Sequence, residues 1–277
     1  MREAAFPGRG LGSERPIRDE KPLAMAGHGG RPKVAYDKKQ ATEEFGRWSE
    51  SYDRCVLQWL LFGPSHRALI RRIGDVAGDR PINILDVGCG TGVFAARVRA
   101  ALPSARVFGV DLVSGMLNQG ARRWEALADF VHPVQGDSER LPFAAGSFDF
   151  VTCANSFHHY PDQEAAVAEM HRVLKPEGRL LLIDGYRDAP WGWFIYDVCV
   201  TYREGNVHHA SARRFREILG RVGFQAVAQK VHRGLAPFLL NEAIAAEPAP
   251  IYPAPHFNLS GTLLGRTESP TARRAGA

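Results

Sequence analysis

Between about residues 34 and 245 the spacing of apolar residues keeps switching between two periods. Short apolar runs bounded by Gly, Pro or Asp predict strands at 82–87, 106–110, 130–135, 148–154 and 178–183, with later ones at 224–231 and 237–240. Between them, apolar residues at helical spacing predict helices at 93–101, 114–127, 163–173 and 212–222, the third capped by Asp162. Strands alternating with helices call for a mostly parallel α/β sheet covered on both faces. In such sheets ligands bind beyond the carboxyl ends of the strands, near the switch point.

Outside that region the pattern dissolves. Residues 1–33 are rich in Gly, Pro and Arg, and 246–277 return to Pro, Ser, Thr, Gly and Arg, so a disordered leader and tail are expected around one domain at 34–245. A formal charge of +5 spread along the chain does not indicate nucleic-acid binding. Cys55, Cys89, Cys153 and Cys199 form no CxxC pair, which suggests neither a zinc site nor a disulfide framework and fits a reducing cytoplasm. No apolar stretch is long enough to span a bilayer, so no integral membrane segment is expected.

Chemistry gathers where the strands end. The first strand runs into Asp86-Val-Gly88-Cys-Gly90-Thr-Gly92, whose alternating glycines let the backbone turn sharply and approach a ligand closely. Taken alone, a dinucleotide site or a purely structural turn would use the same glycines. The dinucleotide pattern, however, requires Gly where this chain has Val93. The second strand ends at Asp111, near the ~20-residue offset of an acid that accepts hydrogen bonds from a ribose diol; a helix cap is the alternative, with Ser114 competing for it. Asp137, with Ser138 beside it, follows Gly136 after the third strand and can accept from an adenine amino group or close an Asx-turn.

Together these blocks resemble the class I S-adenosylmethionine-dependent methyltransferases, and most closely the ubiquinone and menaquinone biosynthesis C-methyltransferase branch. The similarity is carried by 84–92, by Gly-Val-Asp-Leu-Val-Ser-Gly-Met-Leu at 109–117, by Leu-Pro-Phe-Ala-Ala-Gly-Ser-Phe-Asp at 141–149 and by 169–183, and it extends to Phe-Gly-Arg-Trp-Ser-Glu-Ser-Tyr-Asp at 45–53. The resemblance implies a Rossmann-like sheet, mostly parallel with an antiparallel C-terminal strand, and S-adenosyl-L-methionine as cofactor. It implies that Gly88 and Gly90 face the methionine portion and that Asp86 helps hold its amino group. Asp111 would take the ribose hydroxyls and Leu112 would pack on the adenine. Asp137 and Ser138 would meet the adenine edge, Asn155 would line the methionine side, and Tyr52 would close over the cofactor or merely pack on the sheet.

A sulfonium-borne methyl group needs no covalent nucleophile or metal from the protein, so positioning is the main task. An acceptor that must lose a proton also needs a base. His158, in the Asn155-to-Tyr160 loop expected to face the pocket mouth, is the first candidate, although a His there can simply shape the pocket. A metal held by His158, His159, His208 and His209 lacks any supporting carboxylate or thiolate spacing, and none is expected. The aromatic-rich stretch 184–200 departs from the quinone branch. It reads either as an apolar lid for a flat or lipophilic small-molecule acceptor, with Asp184, Tyr186 and Arg187 orienting its polar end, or as an extra helix packed on the core.

Overall fold

The computed structural model describes residues 56–204 and 207–246. The expected leader and tail, the beginning of the domain and Tyr52 lie outside the described residues.

Among the described residues seven strands form one sheet: β1 (Ile82–Val87), β2 (Ala105–Asp111), β3 (Val131–Gln135), β4 (Phe148–Ala154), β5 (Leu174–Gly185), β6 (Phe224–His232) and β7 (Phe238–Ala245). Their order is β3-β2-β1-β4-β5-β7-β6. The first five pair in parallel, whereas β7 runs antiparallel to both β5 and β6. The chain leaves β1 toward β2 and β3 and then crosses back to β4 on the other side of β1. That reversal opens a crevice beyond the carboxyl ends of β1 and β4.

Among the described residues, the helices of six residues or more outside the aromatic stretch after β5 are α1 (Val56–Ala77), α2 (Val93–Ala101), α3 (Ser114–Gln119), α4 (Ala121–Ala126), α5 (Gln163–Val173) and α6 (Ala212–Val222). Alternate strand residues feed two cores, as the pleat requires of a sheet buried on both faces. Ile84, Val107, Phe150, Leu181 and Ile183 join Leu69, Ile73 and Phe94 on one face. Leu85, Val110, Val151, Leu180 and Leu182 join Phe157, Met170 and Phe215 on the other.

The pattern-derived elements stand with adjustments, among them β7, which runs on to Ala245 where the pattern ended the strand at 240. The helix expected over 114–127 is two short helices meeting at Gly120, where a Cβ would lie 2.5 Å from the Thr91 carbonyl oxygen. β5 starts earlier than expected because Leu174 already pairs with Phe148, before a register shift resumes pairing at Phe150 and Arg179. α1 was not read from the pattern at all. Its buried residues Ser65, Leu69, Ile73 and Ala77 follow helical spacing, but Gly63 and Pro64 sit inside the helix and look like a break. The Asp162 cap is as expected, its carboxylate accepting the Glu164 and Ala165 amides at 3.1 and 2.9 Å.

Candidate active site

A pocket lies in the crevice, lined by Gly88, Gly90, Asp111, Leu112, Asp137, Ser138 and Asn155 among the residues expected from the sequence. Each stands at or just past a strand end, which is why residues far apart in the chain meet there.

The turn after β1 is held from two sides. Gly88 N–H donates to the Val110 carbonyl at 2.8 Å, and Gly90 N–H donates to Asp111 Oδ2, also at 2.8 Å. Gly88 has φ 75°, and a Cβ there would come within 2.4 Å of Ser156 Oγ and 2.9 Å of Tyr160 Oη, so both conformation and space demand glycine. Below it, Ser156 donates to the Val87 carbonyl at 3.2 Å and shares a 3.1 Å hydrogen bond with Tyr160.

Asp111 also accepts the Val113 amide through Oδ1 at 2.9 Å. The cap and ligand readings of Asp111 are therefore compatible, since each carboxylate oxygen keeps acceptor capacity after one backbone bond. Burial pushes its pKa up, while the Val113 and Gly90 amides pull it down less strongly. Asp137 closes an Asx-turn by accepting the Glu139 amide at 3.0 Å and still lines the pocket. Asn155 adopts φ 56° and donates through Nδ2 to Ser65 Oγ at 3.0 Å, which ties α1 to the pocket wall.

Asp86 is placed differently from its neighbours. It is buried beneath the turn, outside the lining, and its carboxylate accepts Thr152 Oγ1–H at 2.9 Å. Burial raises its pKa to about 7, assisted by the charge of Asp111 and opposed by the Thr152 hydrogen bond.

The expected orientation of His158 needs correction. A 3-10 turn over Phe157–His159 brings His159 to the pocket and buries His158 behind it. Asp184, at the end of β5, fixes that arrangement by accepting the His158 backbone amide at 2.9 Å and facing its Nδ1 at 2.7 Å. The Gly185 amide donates to the same carboxylate at 2.7 Å. The His209 ring stacks on His158 with centroids 4.5 Å apart, and its Nδ1 lies 4.0 Å from Asp184 Oδ1. Burial works to raise the Asp184 pKa, but His158 and His209 outweigh it and hold the carboxyl below its usual range. His159 is driven well below the normal histidine value by burial and by His158 and His209.

Sequence reasoning did not single out Val113 and Met116, which add apolar lining at the entrance to α3; their closeness to the Asp111 strand end was the available signal. The aromatic stretch is helical over Pro190–Trp193, π-helical over Phe194–Val200 and helical again over Thr201–Glu204. Among the described residues it does not bury its large side chains: Trp191 and Trp193 are about half exposed, at 53% and 51%. Tyr196 is the exception that reaches inward, packing where a Cβ on Gly185 would stand and lying 5.2 Å from the His209 ring.

Residues 84–178 match the family described as a methyltransferase domain. That match spans about a third of the chain. In sequence the chain is similar to curated demethylmenaquinone methyltransferases. It is 34% identical to that of Deinococcus radiodurans over 157 residues, 56% of this chain and 65% of the relative. With that of Thermus thermophilus it shares 39% identity over 125 residues, 45% of this chain and 56% of the relative. The match thus spans less than two thirds of either relative. In fold the chain is similar to magnesium protoporphyrin IX methyltransferase from Synechocystis, solved with SAH bound, at a TM-score of 0.63 and 18% identity over 76% of this chain and all of that one. A putative methyltransferase in complex with its Haloferax volcanii Trm112 activator gives a TM-score of 0.61 at 19% identity, covering 74% of this chain and 98% of that one.

Proposed function

We propose that this domain binds S-adenosyl-L-methionine and transfers its methyl group to carbon or oxygen of a small aromatic, quinol-like or lipophilic acceptor. The carrying observation is the convergence on one pocket of a glycine turn that excludes any Cβ, at Gly88, with carboxylates at the ends of β2 and β3, Asp111 and Asp137. A ribose diol would donate to Asp111 and an adenine amino group to Asp137 beside Ser138, with Leu112 against the base. The methionine end would lie along Gly88, Gly90 and Asn155, with the buried Asp86 offsetting its positive charge through the turn. Tyr52 is proposed to close over this site from outside the described residues.

The bound cofactor supplies an electrophilic methyl on a sulfonium, and the protein's task is to align it with the acceptor and keep water away. Where the acceptor must lose a proton, His158 is the proposed base, with its Nδ1 facing Asp184 at 2.7 Å and the pocket-lining His159 standing between its ring and the acceptor. A quinol-like acceptor is supported by the name of the relatives in sequence, demethylmenaquinone methyltransferase.

Calorimetric titration with S-adenosylmethionine and with NADH tests the cofactor, and no measurable affinity for the former refutes the proposal. A panel of quinols, phenols and polyketide-like compounds, read by S-adenosylhomocysteine release, tests the acceptor class. Turnover only with amines or macromolecules would refute that part.

A further inference from the structure

His158, Asp184 and His209 come from three separate segments: the turn after β4, the end of β5 and the stretch leading into α6. Each offers one ligating atom, and these atoms lie within 4.8 Å of one another. All three residues are buried, at 7%, 3% and 8% exposure. Among the described residues no other group of three His, Cys, Asp or Glu side chains converges in this way.

We propose that this cluster is a divalent transition-metal site of the two-His, one-carboxylate type, with His158 Nδ1, His209 Nδ1 and Asp184 Oδ1 as ligands. The donors are imidazole and carboxylate with no thiolate, a set that suits zinc, cobalt, nickel or ferrous iron better than magnesium or calcium. The ion replaces the proton that Asp184 Oδ1 and His158 Nδ1 share across 2.7 Å, so those atoms separate slightly while His209 Nδ1 closes in from 4.0 Å. Three protein ligands leave positions open for water or an oxygen of a bound molecule.

The surrounding bonds suit ligation. The Gly185 amide on Oδ1 and the His158 amide on Oδ2 fix the carboxylate, and Arg187 donates to the His209 carbonyl at 3.3 Å. Such supporting contacts orient metal ligands. Arg187 is itself paired with Asp197, which offsets its charge near the cation. His159, 4.1 Å from the His158 ring, separates the cluster from the pocket, so the ion would sit one side chain behind the pocket wall.

One consequence concerns proton transfer. When neutral His158 ligates through Nδ1, its proton moves to Nε2 and the ring can no longer accept one. Ion occupancy and the base role proposed above therefore exclude one another, although the metal site does not depend on that role.

The test uses the full chain without an affinity tag, stripped by a chelator and titrated with Co²⁺ and then Zn²⁺. The expected result is uptake of one Co²⁺ per chain with visible ligand-field bands, displaced by Zn²⁺, and at least tenfold weaker in His209→Gln and in Asp184→Asn. S-adenosylmethionine affinity, measured on the same samples, reports a folded pocket independently, so failure of the metal proposal is distinguishable from failure of the methyltransferase reading. Three results would overturn the metal site. They are no saturable Co²⁺ uptake by the wild type, uptake unchanged in the two variants, and an intense thiolate-to-cobalt band, which would move the ion to a cysteine.

Discussion

The carboxylate of Asp111 accepts the backbone N–H of Gly90 at 2.8 Å, joining the end of β2 to the glycine turn after β1. One side chain thereby shapes the glycine turn while presenting acceptor capacity to the pocket, where the proposed ribose would lie. Asp111→Ala is expected to weaken S-adenosylmethionine binding by roughly 10- to 100-fold, the worth of a charge-assisted hydrogen bond of about 1.5–3 kcal/mol. Calorimetry on the folded variant checks this, and unchanged affinity would remove the ribose assignment.

Gly88 and Gly78 separate backbone strain from close approach. Both have positive φ, 75° and 57°, but a Cβ at Gly78 meets nothing within 4 Å, whereas one at Gly88 strikes Ser156 and Tyr160. Gly78→Ala is expected to cost only about 1 kcal/mol of stability. Gly88→Ala should cost more and also abolish measurable cofactor binding, because the turn must move. Thermal denaturation with and without S-adenosylmethionine distinguishes them; equal losses in the two variants would show that space at Gly88 is unimportant.

Asp86 gives the site a pH dependence. Its folded pKa, raised to about 7, exceeds the unfolded value of 3.8, so its neutral form is favoured in the folded protein. That contribution to stability is fully present below the unfolded pKa and is lost as pH rises through about 7. A cationic cofactor favours the carboxylate instead, so binding should tighten as pH rises from 6 to 8 and release protons near pH 7. Calorimetry at pH 7 in buffers of differing ionisation enthalpy measures that release, and Asp86→Asn should abolish it. Release persisting undiminished in Asp86→Asn would assign the proton to another group.

These tests rest largely on features that local sequence carries well. Glycines at alternate positions and acids at strand ends act through the backbone beside them, so Gly88, Asp111 and Asp137 could be placed from a few residues of context. α1 was missed because Gly63 and Pro64, which look like a break, lie inside it. The His158–Asp184 pair is 26 residues apart and forms only because β4 and β5 are parallel neighbours ending together. No spacing rule shows that adjacency, and so the carboxylate that metal ligation required looked missing. The orientation of His158 relative to His159 likewise depends on a single 3-10 turn, a detail finer than hydrophobic periodicity can resolve.

Trp124 is the least conspicuous residue that the site depends on. In α4, it fills the space beneath Gly92, where a Cβ would come within 2.2 Å of its ring, and its Nε1–H donates to the Leu117 carbonyl at 3.1 Å. It thus supports the last glycine of the turn from below while joining the same core as Phe94 and Ile84. Trp124→Ala leaves a cavity that should cost about 3–5 kcal/mol. Trp124→Phe keeps an aromatic ring but removes the hydrogen bond and part of the volume, for an expected loss of about 1–3 kcal/mol. Because the missing volume borders the turn, S-adenosylmethionine affinity should fall in the folded Phe variant even though Trp124 does not line the pocket. Chemical denaturation gives the stability change and calorimetry the affinity. A destabilised Phe variant with wild-type affinity would mean that the turn keeps its shape without support from below.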